Sequence, residues 1–181
     1  EYSRAGGRGD APREIVDANR ALRAAVDNLQ TAVETSGAEI LHRPLPSVSA
    51  HEVALVQLFQ NLLGNAIKYA GRRRPEIRVW AERDGEQWRF AVEDNGLGIA
   101  PKDHQRIFGL FKRAHGGDFP GTGVGLAICN KLVHRYGGRL WVDSELDKGA
   151  TFWFTLPAAG RGGDTPAVSG ADNHDQMRPV R

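Results

Sequence analysis

Apolar residues along the chain recur at helical spacing three times and at alternate positions in five short stretches. Leu22, Val26, Leu29 and Val33 lie four, three and four residues apart, which predicts an amphipathic helix from Ile15 with Gly37 as its stop. Ala38 to Leu41 reads as a short strand, broken off by Pro44 and Pro46. A second helix follows, with Ser49 and Glu52 spaced as a capping box at its start. Ile77, Val79 and Ala81, then Trp88, Phe90 and Val92, alternate on either side of Asp84-Gly85 and predict a hairpin. Leu126, Cys129, Val133 and Tyr136 share one face of a third helix, closed by Gly137-Gly138. Two strands, one with Leu140 and Val142 and one with Phe152, Phe154 and Leu156, complete the pattern.

Residues 57–70, QLFQNLLGNAIKYA, organise the rest. At 100° per residue Leu55, Leu58, Phe59, Leu62 and Ala66 face a core, and Gln57, Asn61, Asn65 and Lys68 form a narrow polar seam opposite. A solvated face would mix acids and bases, whereas this one holds amides and a single lysine. An amide oxygen suits a hard cation such as Mg²⁺, and a lysine one turn away reaches phosphates.

Two glycine-rich segments extend the chemistry. The second hairpin strand ends in Asp94-Asn95-Gly96-Leu97-Gly98-Ile99, where a carboxylate beside glycines can accept from an exocyclic amino group. Gly121-Thr122-Gly123-Val124-Gly125 opens the third helix, a place for anions because backbone N–H groups and the helix dipole point the same way. The spacing matches neither the dinucleotide fingerprint nor a Walker A loop. Between them, residues 100–120 are long for a connection and read as a lid, with Phe111 as an apolar anchor before Lys112 and Arg113.

Composition narrows the context. A net charge of +2, from 24 basic and 22 acidic residues, gives no support for nucleic acid or an anionic membrane as partner. Cys129 is the only cysteine, which excludes an internal disulfide and fits a reducing compartment. No apolar run approaches the length of a membrane span, and no export signal is present. Residues 1–12 read as a flexible linker and 158–181 as a disordered tail, leaving one domain over 13–157.

These blocks, in this order, resemble the N, G1, F and G2 boxes of the catalytic, ATP-binding domain of sensor histidine kinases in the Bergerat-fold superfamily, with a weaker likeness to phytochrome- or PAS-linked kinases. The resemblance implies an α+β fold, a two-layer sandwich with a mixed sheet of about five strands covered on one face by about three helices. It implies ATP and Mg²⁺ as ligands. Asn61, Asn65, Lys68 and Tyr69 match the N box; Asp94, Gly96, Gly98 and Ile99 the G1 segment; Phe108, Phe111 and Arg113 the F box; Gly121, Thr122, Gly123, Val124, Gly125 and Leu126 the G2 segment. The family roles carried over are adenine selection by Asp94 with help from Thr151, Mg²⁺ ligation by Asn65 with Asn61 close by, and phosphate contact by Lys68 and Arg113. Asn61, Lys68 and Arg113 are the catalytic candidates.

Gyrase-like and chaperone relatives carry a water-activating Glu where this chain has Asn61, so ATP should be kept for a protein nucleophile. The acceptor histidine is expected on a separate dimerisation and phosphotransfer domain of a cytoplasmic, or membrane-anchored, parent, with a response regulator receiver domain further on. The domain alone is expected to be a monomer without nucleic-acid or membrane contact. His51-Glu52 imitates an acceptor motif but sits at the start of the seam helix after two prolines. A self-sufficient ATPase and a non-enzymatic nucleotide-sensing module are the alternatives.

Overall fold

A computed structural model describes residues 13–112, 122–160 and 177–180. The order is β1 (Glu14–Asp17), α1 (Ala18–Asn28), α2 (Gln30–Ser36), β2 (Glu39–His42), β3 (Ser47–Ala50), α3 (Glu52–Lys68), β4 (Glu76–Asp84), β5 (Gln87–Asp94), two 3-10 turns at Pro101–Asp103 and Arg106–Phe108, α4 (Gly125–Arg135), β6 (Leu140–Ser144), β7 (Ala150–Pro157) and β8 (Arg178–Pro179). A six-stranded sheet runs β6-β7-β5-β4-β2-β8, and β1 pairs with β3 in a separate two-stranded sheet. All pairings in the large sheet are antiparallel except β2 with β4.

The alternation seen in the sequence decides which face meets the helices. Val79, Phe90, Val92, Phe152 and Phe154 point to one side and are buried, and α3 lies over them. Phe59 of α3 meets Phe90 and Phe154 edge-on at 6.1 and 5.9 Å, while Phe90 and Phe154 stack at 4.9 Å. Leu55, Leu58, Leu62, Leu63 and Ala66 complete the buried stripe of α3, as its spacing requires. α1 packs beside it through Ala18, Ala21, Leu22 and Ala25.

Four expectations need correction. The first helix begins at Ala18: Ile15 lies in β1 and is 71% exposed, and the helix is interrupted at Leu29, which separates α1 from α2. Ser49 does not cap α3, because β1 draws it into β3 opposite Ile15. His51 stands at the cap position with no side-chain cap bond, and Glu52 pairs with Arg20. The segment expected to be a disordered tail returns at its end, where Arg178 and Pro179 pair with His42 and Leu41, making a sixth strand. His42 lies within β2, one residue past the strand expected over Ala38 to Leu41. The linker proposed at 1–12 lies outside the described residues.

Candidate functional site

One cavity opens between α3, the loop after β5 and the start of α4. Its apolar walls with a few convergent polar groups are of the kind that hold a small organic ligand. Asn65, Lys68 and Tyr69 form its α3 wall, Asp94, Gly98 and Ile99 its sheet wall, and Gly123, Gly125 and Leu126 its α4 wall. Three segments separated by dozens of residues are thus assembled on one hollow.

Asp94 is the last residue of β5, on the face that looks toward the helices, and pairs across the sheet with Ala150. Its Oδ1 accepts the Gly96 N–H at 2.8 Å, and the Ala150 N–H also bonds to the carboxylate. Burial nevertheless dominates and, with Glu93 adding repulsion, pushes the Asp94 carboxyl up to about 6. A partly desolvated acceptor of this kind gains most from a ligand that brings its own N–H donor.

The loop that follows Asp94 is held on both sides. On one side the Arg73 Nη1 donates to the carbonyls of Asn95 and Gly96, both at 3.0 Å, and the Leu97 N–H donates to the Tyr69 carbonyl at 2.9 Å. On the other, the Asp147 N–H donates to the Leu97 carbonyl at 2.7 Å and the Ile99 N–H to Ser144 Oγ at 2.8 Å. Gly98 has φ of 69°, and a Cβ there would overlap the Glu145 carbonyl oxygen, so no other residue fits.

The polar seam divides. Asn65 and Lys68 reach the cavity, and the Lys68 ammonium lies 4.7 Å from the Tyr69 ring centre. Gln57 is exposed. Asn61 turns instead toward α4: its side chain bonds the buried Cys129 sulfur, and its Oδ1 is 3.1 Å from where a Cβ on Gly125 would stand. Cys129 itself is held as a thiol, its pKa pushed up to about 12 by burial.

Other sequence candidates fall less neatly. Gly96 contributes its N–H to Asp94 without lining the hollow. Phe111 is 73% exposed with φ of 58°, and its N–H donates to the Gly123 carbonyl at 3.0 Å. Thr122 is exposed, and Val124 holds the cap position of α4. Arg113 and Gly121 lie outside the described residues. Thr151 is placed on the other face of the sheet: one residue from Ala150, it points away from the cavity and lines a separate surface depression with Glu93 and Asp143. Ala150 occupies the position beside Asp94 that Thr151 was expected to serve.

The sequence reading left out Leu97, Ile107, Ala150 and Phe152, all of which line the cavity, and Lys112 at its rim. Ile107 and Phe152 read as core because they are buried like core residues. Of the histidines, His51 bonds the Tyr136 hydroxyl through Nδ1 at 2.8 Å, and His104 Nε2 lies 3.1 Å from the Ile99 carbonyl, so both are engaged in packing.

A cavity walled by an amide- and lysine-bearing helix, a strand-end aspartate and a glycine-rich helix start defines an ATPase-type nucleotide site on a two-layer α/β sandwich. Residues 50–160 match the family described as histidine kinase-, DNA gyrase B- and HSP90-like ATPases, and the chain belongs to that family. Its relatives and solved neighbours place it among the catalytic domains of sensor histidine kinases. It is 47% identical over 149 residues to cyanobacterial phytochrome A of Nostoc sp., covering 82% of this chain and 20% of that protein. Phytochrome-like protein Cph1 of Synechocystis sp. is 44% identical over 144 residues, covering 79% of this chain and 19% of that protein. The chain therefore spans about a fifth of the length of these relatives. Among solved structures, full-length ShkA in complex with AMPPNP superposes with a TM-score of 0.72 at 34% identity, over 85% of this chain and 33% of that one. The mycobacterial sensor histidine kinase MprB superposes at 0.70 with 25% identity, over 80% of this chain and 97% of that one. Among the described residues no helix is long and apolar enough to cross a membrane.

Proposed function

We propose that this domain binds Mg-ATP and donates the γ-phosphoryl group to a histidine on a separate dimerisation and phosphoacceptor domain. Support comes chiefly from one arrangement: Asp94 at the sheet side of the cavity, facing Asn65 and Lys68 on α3 and the open start of α4. The residues fit the proposed ligand. Adenine would bring its exocyclic amino group to Asp94, against the apolar wall of Leu97, Ile107 and Phe152. The phosphates would lie toward Lys68 and the Gly123–Gly125 backbone, where the N-terminal end of α4 favours negative charge.

Among the described residues no three His, Cys, Asp or Glu side chains come together as a metal site. Mg²⁺ would accordingly take most of its oxygen ligands from phosphates and water, with the Asn65 amide oxygen as the protein's contribution. The metal would neutralise phosphate charge as the terminal P–O bond breaks and the histidine N–P bond forms, with ADP leaving. Arg113 would add positive charge at the γ-phosphate. Asn61 has no carboxylate with which to activate water, and its amide is engaged with α4, so hydrolysis by the domain alone should be slow.

The parent is proposed to be a cytoplasmic two-component kinase, with a receiver domain taking the phosphoryl group from the histidine. Calorimetric titration with ATP, with and without Mg²⁺, followed by phosphate release and transfer to an added acceptor hairpin, tests the reading. Mg²⁺-dependent binding, negligible release and transfer to the hairpin are expected. Rapid release would make the domain an ATPase, and binding without transfer would make it a nucleotide sensor.

A further inference from the structure

The helices cover one face of the large sheet. The opposite face carries three half-buried tryptophans. Register places them in a single row across four strands, since Trp80 pairs with Ala91, Ala91 with Trp153 and Trp153 with Trp141. Trp80 meets Trp153 edge-on at 5.7 Å, and Trp153 stacks with Trp141 at 6.2 Å. Among the described residues the Trp153 Nε1 and the Arg89 Nε, both buried within the chain itself, find no acceptor.

Charged rows flank the tryptophans. On one side run Glu82 of β4, Arg89 of β5 and Thr155 of β7, continued by Arg139, which is joined to Thr155 by a backbone bond and lies over the Trp141 ring at 5.3 Å. On the other side run Arg78 of β4, Glu93 of β5, Thr151 of β7 and Asp143 of β6. Strand by strand, each charge in one row has its opposite in the other. A half-turn about an axis along the tryptophan row therefore brings Glu82 over Arg78 of a second copy, Arg89 over Glu93 and Arg139 over Asp143; the first two contacts extend the ion pairs Glu82–Arg89 and Arg78–Glu93 already present within each copy, and Thr155 is buried and takes no part. Aromatic residues meet along the axis. A surface complementary to itself under a two-fold rotation is what an isologous contact requires.

We infer that this face associates with the same face of a second copy of the chain. Three rows on four strands cover roughly 15 by 20 Å, which is small against the roughly 800 Å² per partner of a stable complex. The contact is therefore weak in free solution and becomes substantial where two copies are held together. This departs from the expectation of a monomer at high concentration.

The test uses two surface variants of the full chain, Arg139→Glu and Asp143→Arg, analysed by sedimentation velocity from 10 μM to 1 mM. Both residues are exposed. Wild type should self-associate weakly. Each variant alone places like charges face to face twice and should lose at least tenfold in association. An equimolar mixture should recover it as a heterodimer, because the glutamate introduced in one copy then faces the arginine introduced in the other. A wild type that is monomeric throughout, or variants that associate as it does, would overturn the inference. So would association appearing only after removal of residues 161–181, since that would make the chain's own C-terminal segment the occupant.

Discussion

The Arg73 guanidinium bonds the Gly96 carbonyl at 3.0 Å, tying the turn after α3 to the loop that positions Asp94. The same nitrogen holds Asn95, and Gly96 in turn donates to Asp94. The aspartate's orientation thus depends on a cation that does not line the cavity. Arg73→Ala should weaken ATP binding about tenfold, the worth of one or two charge-assisted bonds. Amide exchange at Leu97, bonded to Tyr69, should quicken in parallel. Unchanged exchange and affinity would show the loop to be held by its other bonds alone.

Asp94→Asn should abolish ATP binding and yet stabilise the fold at neutral pH. Burial raises the folded-state pKa to about 6, above an unfolded value near 3.9, so ionising Asp94 costs folding free energy. The cost is absent below about pH 4, grows between there and pH 6, and is complete above. Removing the charge should gain up to about 3 kcal/mol at pH 7.5 and nothing at pH 4, measured by urea unfolding. In wild type, ATP affinity should fall as pH drops through 6, because the carboxylate then takes up a proton.

Asn65→Ala should leave ATP binding detectable but remove its dependence on Mg²⁺. Titrations with and without the metal give the answer directly. A retained dependence would assign the metal to another residue.

Thr151→Ala should change ATP affinity by less than about twofold, because Thr151 is on the sheet face away from the cavity. Ala150→Leu should reduce it more than tenfold by filling the space beside Asp94. The reverse pattern would mean that β7 shifts register when nucleotide binds.

Phe59→Ala should cost about 3–5 kcal/mol of stability, since the ring is fully buried between Phe90 and Phe154. Denaturant unfolding measures it, and ATP at saturating concentration should recover part of the loss.

Helical and strand periods in the sequence were enough to find α3, α4 and the four long strands, because each of these buries one face locally coded by spacing. β1 and β3 were not legible: their pairing joins residues 30 or more apart, and each is only four residues long. β8 was hidden for the same reason, in a segment whose composition otherwise reads as tail. At the site, Asn65, Lys68, Asp94 and the glycines stood out because their residue types are unusual for their elements. Leu97, Ile107 and Phe152 carry no such mark, since an apolar ligand wall and an apolar core look alike in sequence. Thr151 was misplaced although parity would have corrected it: Phe152, Phe154 and Leu156 face the core, so residue 151 faces the other way.

The bond from the Phe111 N–H to the Gly123 carbonyl pins both ends of the segment between them. The position of Gly123 is then decoupled from the segment's length. Doubling a loop whose ends are already joined costs only about 0.6 kcal/mol in closure entropy. A change of length between Arg113 and Gly121, the two residues proposed to meet the nucleotide, should therefore leave Gly123 and the start of α4 where they are.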